Sequence, residues 1–473
     1  MANVESGRYS GVKVLIMGLG LHGGGLGAAR FLARHGAELT VTDLRGEDAL
    51  RPSIEALDDF VSGMNGKPVK YVLKRHDLRD FADAGFVVKN PGVRPDSPFL
   101  KAARRIETDI SLFLAHNPAR LTAVTGSKGK SFTASAIHFA LRETTSGGRA
   151  FLGGNITVSP LTFLDELTEA DDVVLELSSW QLGDLPRGLL KPRVAVITAI
   201  MADHLDRYGT MDAYVADKRA IYQAQDGRDA TIAGDDVWGN SFLTETKGRP
   251  YSYGQKKPSA SGAFVCENGG PCLAVGPACG LAPGETARIV PAVPGVPGFH
   301  QKINLMAAGL ALLDLGLPPH IIDDCMGRFP GIEHRLEFFY EDSGVRFYND
   351  TAATIPEAAA AAVRALGSPV IVTGGTDKAL DFSPLAGALA SARAVVLLSG
   401  TGSDKLIRLL KEKNIPYSGP WDKLDDAVRA AVNASCPGAS VVLSPGCASF
   451  GMFLNEFDRG HKWKTAVKDF FIK

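Results

Sequence analysis

Thr125-Gly126-Ser127-Lys128-Gly129-Lys130-Ser131 is the stretch from which the rest of the chain can be understood. An apolar run of strand type, Leu121 to Val124, leads into it, and helix formers follow from Phe132, so the pattern is strand, glycine turn, helix start. Glycines let successive backbone N–H groups face one concavity, and a helix N-terminus adds positive dipole. Lys130 adds a full charge, and the Ser131 hydroxyl can reach a magnesium ion. Such a turn holds a polyphosphate. It is shorter than the full GxxxxGK[ST] pattern, with two residues between Gly126 and Gly129. A lysine-rich surface turn has the same composition, and only the flanking strand and helix favour the nucleotide.

A chain of 473 residues is too long for one hydrophobic core, and usual domain sizes predict about three units. The hydrophobic share of 45% is ample for compact cores. With 51 basic and 52 acidic residues the formal net charge is -1, so no global field attracts nucleic acid and any anion site is local. The expected partners are small molecules, with no nucleic acid and no membrane. Cys266, Cys272, Cys279, Cys325, Cys436 and Cys447 contain no CxxC pair and no histidine at zinc spacing; reduced thiols are expected. Polar residues lead into Val12 to Met17, too short an apolar run for export, and none reaches membrane-spanning length. The expected location is the cytoplasm.

Upstream, Val12 to Ile16 form a buried-type strand that ends in Gly18-Leu19-Gly20-Leu21-His22-Gly23, a literal GxGxxG. Leu26 to Arg34 has helical spacing, Gly36 stops that helix, and Leu39 to Thr42 is a second strand, which completes a βαβ unit of Rossmann type. Asp43 ends the second strand, where such folds place an acid against a ribose or base edge, and Arg45 is in reach of phosphate. Tight strand-to-helix turns need glycine for steric reasons alone, so the motif by itself leaves ligand binding open. Asn90-Pro91-Gly92 is a turn after the strand Phe86 to Val88, and a boundary is expected near residue 115.

Downstream of the phosphate turn, Gly153-Gly154-Asn155 reads as a loop with an amide within reach of a ligand. Val173 to Leu177 is an apolar strand that carries Glu176, followed by Ser178; a buried acid is costly unless paired, and magnesium is a natural partner. Val194 to Ile200 is another strand, with Asp203, His204, Asp206 and Arg207 directly after it, where open α/β sheets place ligands. Lys218 lies on a predicted helix, Tyr214 to Tyr222, and pattern alone leaves it a solvated surface lysine. A β-rich excursion runs from Trp238 to Val293. Asn304 falls in the predicted first turn of an alanine- and leucine-rich helix, as a cap or a ligand contact. Glu333-His334-Arg335 leads to a third unit with a hairpin at Ser343-Gly344 and small-residue turns after its strands.

Taken together and in order, GLGLHG, TGSKGKS, GGN, LELSSWQL, DHLDRY with a lysine downstream, HxxxN, EHRLE, YNDTAAT, GGTDK and SPGCASF resemble the Mur ligases from about Val12 to Phe457. The resemblance implies an α/β chain of three domains: a Rossmann-like UDP-substrate domain, 1–115; a central P-loop ATPase-type mononucleotide-binding sheet, 116–332; and a Rossmann-like C-terminal domain, 333–473. It implies a cytoplasmic, monomeric ligase that uses ATP and two magnesium ions. The substrates would be UDP-N-acetylmuramoyl-L-alanine and D-glutamate, joined through an acyl phosphate in peptidoglycan precursor synthesis. An L-glutamate-adding relative would share most of these motifs. A nicotinamide-dependent oxidoreductase built on GLGLHG would leave Lys130, Ser131 and Glu176 without a role.

Residue by residue, the resemblance implies that Gly126, Ser127, Lys128, Gly129, Lys130 and Ser131 bind ATP with Asn304, Arg335 and Asp350. Ser131, Glu176, His204 and a carbamate on Lys218 would hold metal, and Lys130, His204 and Lys218 would be catalytic. Leu21, His22, Asp43, Arg45, Asn155, Ser178 and His204 would meet the UDP-linked substrate, and Thr354, Lys378 and Ser449 the incoming glutamate. The chain departs from the family pattern at Gln301, usually asparagine, at Ala352, usually lysine, and at Glu456-Phe457, which reverses the usual order.

Overall fold

The structure, a computed structural model, describes residues 7–20, 23–144, 148–156, 158–449 and 451–472. Among them the strands form three sheets. The first comprises β1 (Lys13–Met17), β2 (Glu38–Asp43), β3 (Lys70–Leu73), β4 (Phe86–Lys89) and β5 (Ile106–Glu107), all parallel in the order β3-β2-β1-β4-β5. Val14 to Met17 are buried without alternation because helices cover both faces of a parallel sheet.

The second sheet begins with β6 (Arg120–Thr125), β7 (Ala150–Gly154), β8 (Asp172–Glu176) and β9 (Val194–Ile197). It continues with β10 (Ala230–Gly234), β11 (Arg249–Gly254), β12 (Gly262–Val265), β13 (Cys272–Val275) and β14 (Thr286–Val290). Their order is β14-β13-β12-β11-β10-β9-β6-β8-β7. The excursion of unassigned role therefore extends the central sheet, antiparallel from β12 to β14, and it includes a helix, Val237–Glu245, that the glycine- and proline-rich composition of the stretch had hidden.

The third sheet holds β15 (Glu337–Asp342), β16 (Val345–Asn349), β17 (Val370–Thr373), β18 (Ala394–Leu398), β19 (Ser418–Trp421) and β20 (Ser440–Leu443), in the order β15-β16-β20-β17-β18-β19. Only the predicted hairpin, β15 with β16, is antiparallel.

The chain divides into two compact units, Met1–Ala292 with Ile303–Cys325, and Val293–Lys302 with Met326–Lys473. Residue 115 separates two sheets, not two cores: one apolar cluster runs from Tyr9, Leu32 and Ile110 to Leu161, Leu175 and Ile197. In the second unit, apolar clusters built on Ile371 and Leu397 and on Val372 and Trp463 cover the two faces of the third sheet. No helix among the described residues is long and apolar enough to cross a membrane, and all six cysteines are free.

A buried ion pair also links the first two sheets. Lys89, at the end of β4, donates to Asp184 at 2.5 Å and to the Val93 carbonyl at 2.8 Å. Asp184 caps the helix Ser179–Gly183, and the two side chains are 3% and 6% exposed. Desolvation outweighs the attraction, which pushes Lys89 down and Asp184 up toward their neutral forms. Replacing Lys89 by methionine strands a buried carboxylate and should cost about 3–5 kcal/mol, while Lys89→Met with Asp184→Leu should recover most of it. Urea unfolding of both variants checks this; equal losses would contradict the argument.

Candidate active site

β6 runs between β8 and β9, parallel to both, with Val124 opposite Glu176 and Thr125 opposite Ile197. Parallel strands share a carboxyl edge, so the phosphate turn, Glu176 and the Asp203–His204 segment emerge side by side. The turn admits no side chain at two points. A Cβ on Gly126 would lie 1.9 Å from Thr198 Oγ1, and one on Gly129 would lie 2.5 Å from Asn304 Oδ1; both glycines have positive φ, 147° and 92°. The helix Lys130–Thr144 begins two residues before Phe132.

Ser127 braces the turn. Its amide donates to the Ala199 carbonyl at 2.8 Å, and its hydroxyl lies 2.9 Å from both the Met201 carbonyl and the Tyr214 hydroxyl. The Lys128 amide also leans on Ala199, at 3.4 Å. Thr133 N–H donates to the Gly129 carbonyl at 2.9 Å at the start of the helix Lys130–Thr144, and a helix N-terminus favours an anion.

Glu176 is 1% exposed. Asn155 Nδ2 donates to its Oε1 at 3.0 Å, while Oε2 is buried with no hydrogen-bond partner. An orphaned buried carboxylate oxygen is costly, and a hard anionic oxygen donor of this kind fits magnesium. Gly153 and Gly154 complete β7 instead of forming a loop, and the Asn155 amide continues the pairing by donating to the Glu176 carbonyl at 2.8 Å.

Lys218 is not a surface lysine: it is 2% exposed. Its Nζ donates to the Gly126 carbonyl at 2.8 Å and lies 4.6 Å from the Tyr214 ring centre. Burial, helped by the nearby Lys130 ammonium, lowers its pKa to about 7 against the opposing Asp203 and Asp217. Lys130 donates to the Ser127 carbonyl at 3.0 Å, and burial lowers its pKa while Glu176 and Asp203 hold it up. His204 has a positive φ of 54° and its ring centre is 4.9 Å from that of Trp180, over which the Arg207 guanidinium sits at 4.3 Å.

Lys130, Asn155, Ser178, His204 and Lys218 line one cavity of about 510 Å³. It also takes in residues with no assigned role, among them Asn90 and Gly92 of the turn after β4, Trp180, Tyr214 and Asp109. Asp109 is fully buried, accepts from Ser159 Oγ at 3.1 Å, and desolvation raises its carboxyl to about 6. Its only sequence signal is its place after the capping residue Thr108.

Asp43 and Arg45 lie outside this cavity, at the carboxyl end of β2. Arg45 N–H and Nε donate to Asp43 Oδ1 at 3.0 and 3.3 Å, and the buried Oδ2 is unpartnered. Leu21 and His22 fall outside the described residues. Asn304 sits in the second turn of Phe299–Asp314, one turn too deep for a cap, because the helix starts at Phe299.

In the second unit, Asp350 and Thr354 follow β16, Lys378 follows β17 and Ser449 follows β20, three neighbouring strands; Arg335 precedes β15. Asp350 accepts from Ser444 Oγ at 2.6 Å and from the Leu336 amide at 3.1 Å, yet burial raises its carboxyl to about 7. Phe457 is 54% exposed, with its ring centre 5.4 Å from that of His334. Glu333, His334 and His461 group at metal-binding spacing. However, Asn349 Nδ2 donates to His334 Nδ1 at 2.9 Å, which assigns the proton to Nε2, and Lys464 occupies Glu333 at 2.7 Å, so this is not a ready ligand set.

Reductive ¹³C-methylation followed by NMR titration should show Lys218 deprotonating near pH 7. A midpoint at the free-lysine value of about 10.4 would overturn the burial account.

Three family models match the chain: the Mur ligase MurD-like N-terminal domain over residues 12–111, the Mur ligase middle domain over 124–312, and the Mur ligase glutamate ligase domain over 334–447. Curated proteins named UDP-N-acetylmuramoylalanine–D-glutamate ligase are similar along almost the whole length. The one from Treponema pallidum is 40% identical, covering 98% of each chain. The one from Roseiflexus sp. is also 40% identical, over 98% of this chain and all of that one. Among solved structures, MurF from Acinetobacter baumannii superposes with a TM-score of 0.55 at 15% identity over 91% of each chain. The UDP-N-acetylmuramate–alanine ligase of Thermotoga maritima does so at 0.51 and 17% identity, over 97% of this chain and 99% of that one. The chain belongs to the Mur ligase family.

Proposed function

We propose that the protein is an ATP-dependent ligase that joins D-glutamate to UDP-N-acetylmuramoyl-L-alanine and releases ADP and phosphate, in peptidoglycan precursor synthesis. What supports this is a glycine turn and helix start that follow a strand in register with a buried, half-orphaned carboxylate, in a chain 40% identical to D-glutamate ligases over nearly its full length. The proposed modules are residues 1–115 for the UDP substrate, 116–332 for ATP and 333–473 for the amino acid.

The acceptor carboxylate is a poor electrophile, and bringing it to a γ-phosphate sets anion against anion. Lys130 and the amides of the helix start draw charge from the triphosphate and stabilise it as the phosphoryl group moves. Ser131, Glu176, His204 and Lys218 are the groups assigned to magnesium, which when bound would screen that repulsion further. The carboxylate takes the phosphoryl group, ADP leaves, and the neutral glutamate amine attacks the acyl carbon; loss of phosphate, with the amine giving up one proton, leaves the amide. The cavity walls formed by Trp180 and Tyr214 limit the water that would compete for the acyl phosphate.

Asp43, Arg45, Leu21 and His22 are assigned to the UDP part of the substrate, and Asn155 and Ser178 to its muramoyl-alanyl part. Asn304, Arg335 and Asp350 are assigned to the adenosine and phosphates of ATP. Thr354, Lys378 and Ser449 receive glutamate. The neutral Lys218 amine fits addition of carbon dioxide: nitrogen attacks carbon, one proton leaves to solvent, and the neutral amine becomes an anionic ligand.

Phosphate release measured with UDP-N-acetylmuramoyl-L-alanine, ATP and either D-glutamate, L-glutamate or L-alanine should require D-glutamate; preference for L-glutamate would reassign the substrate. Lys130→Met should lower kcat by about 10²-fold or more, and near-normal turnover would remove Lys130 from the mechanism. With ¹³C-bicarbonate the wild type should show a carbamate resonance that is absent in Lys218→Arg; its absence from the wild type would refute the modification.

A further inference from the structure

The helix Glu456–Ile472 turns Arg459 into the interior of the second unit, where it is 1% exposed. Its Nε donates to Thr351 Oγ1 at 2.9 Å, Nη2 to the Thr351 carbonyl at 3.0 Å and Nη1 to the Cys447 carbonyl at 3.2 Å. Among the described residues no carboxylate forms an ion pair with it, and burial pulls the guanidinium down to about 10. An unpaired buried charge is expensive, and an apolar side chain of that volume would fill the space without the penalty. What the guanidinium provides is a rigid fork that reaches two separate turns at once.

Those turns carry assigned groups. Thr351 belongs to the turn leading to Thr354, and Cys447 lies two residues before Ser449. The Thr351 hydroxyl donates onward to the Glu456 carbonyl at 2.8 Å, which returns the link to the helix that bears the fork. From Cys447 the chain of bonds continues: Ala448 N–H donates to the Thr376 carbonyl at 3.0 Å, and Thr376 N–H to the Ala448 carbonyl at 3.2 Å. Thr376 is in the turn that carries Lys378. The helix itself is seated closely, since a Cβ on Gly460 would fall 2.5 Å from His334 and 2.6 Å from Thr351, and Trp463 Nε1 donates to the Tyr348 carbonyl at 3.0 Å.

We infer that Arg459 is a positioning residue for the amino-acid substrate: its fork locks the turns of Thr354 and Ser449 to each other and, through Ala448 and Thr376, to that of Lys378. This rests on the assignment of glutamate to those three residues. Geometry, not charge alone, is what the fork supplies, so lysine does not replace it.

The test is glutamate saturation of phosphate release at saturating ATP and UDP-N-acetylmuramoyl-L-alanine, for wild type, Arg459→Lys, Arg459→Met and Thr351→Val, with thermal unfolding as a check on folding. Both Arg459 variants should raise the KM for glutamate by about tenfold or more, and Thr351→Val should raise it less, with the KM for the UDP substrate within about twofold of wild type. A folded variant with unmoved glutamate KM, or a lysine variant that restores the wild-type value, overturns the inference. If the Arg459 variants fail to fold, Thr351→Val decides. A wild type whose phosphate release does not depend on glutamate defeats the functional proposal and this inference together. Glutamate dependence in the wild type with no shift in the variants defeats this inference alone.

Discussion

The position of β6 between β8 and β9 is the constraint on which the rest of the site depends. Because the three strands are parallel, their carboxyl ends share one edge, and residues separated by about fifty positions in the chain become neighbours. The arrangement tolerates no side chain at Gly126 or Gly129, where Thr198 and Asn304 close in. The strand register aligns Glu176 with Val124, and the tightness of the turn allows the Lys218 amine to reach the Gly126 carbonyl.

That crowding also governs the electrostatics. Lys130, Lys218, Glu176 and Asp109 all line the site or adjoin it, and each is largely removed from water. Desolvation is the largest influence on both lysines and on Asp109, so the site holds amines that lose protons more readily than usual and a carboxyl that releases its proton only at higher pH than usual. Groups perturbed by burial and by neighbouring charges in one cavity are characteristic of sites that carry out chemistry. The second unit repeats the theme: burial raises Asp350, and the nearby Arg335 guanidinium holds it down only in part.

The second unit holds its turns together through side chains instead of glycine contacts alone. Arg459, Thr351 and Trp463 tie one helix to the ends of β16 and β20, while the paired amides of Thr376 and Ala448 tie β20 to β17. Each tie is a hydrogen bond made in the interior, where an unmade partner is costly, so the loops behave as a set.

The sequence by itself determined the local elements and the kind of site. Apolar runs marked β1, β6, β8 and β9, the first two ending in glycine turns, and a chain-length order of motifs identified the family, because strand patterning and turn chemistry are short-range properties. Trp180, Asp109 and Arg459, and the burial of Lys218, a residue that only the motif order had singled out, were illegible for the opposite reason. A helical lysine or arginine carries the same local signal whether it is solvated or interred, and a helix start hides how many of its neighbours' amides are already committed, as at Ser127 and Lys128. The tertiary structure alone decided burial, and with it which charges are perturbed. It also decided that the first two sheets share one core, since that depends on contacts between helices far apart in the chain.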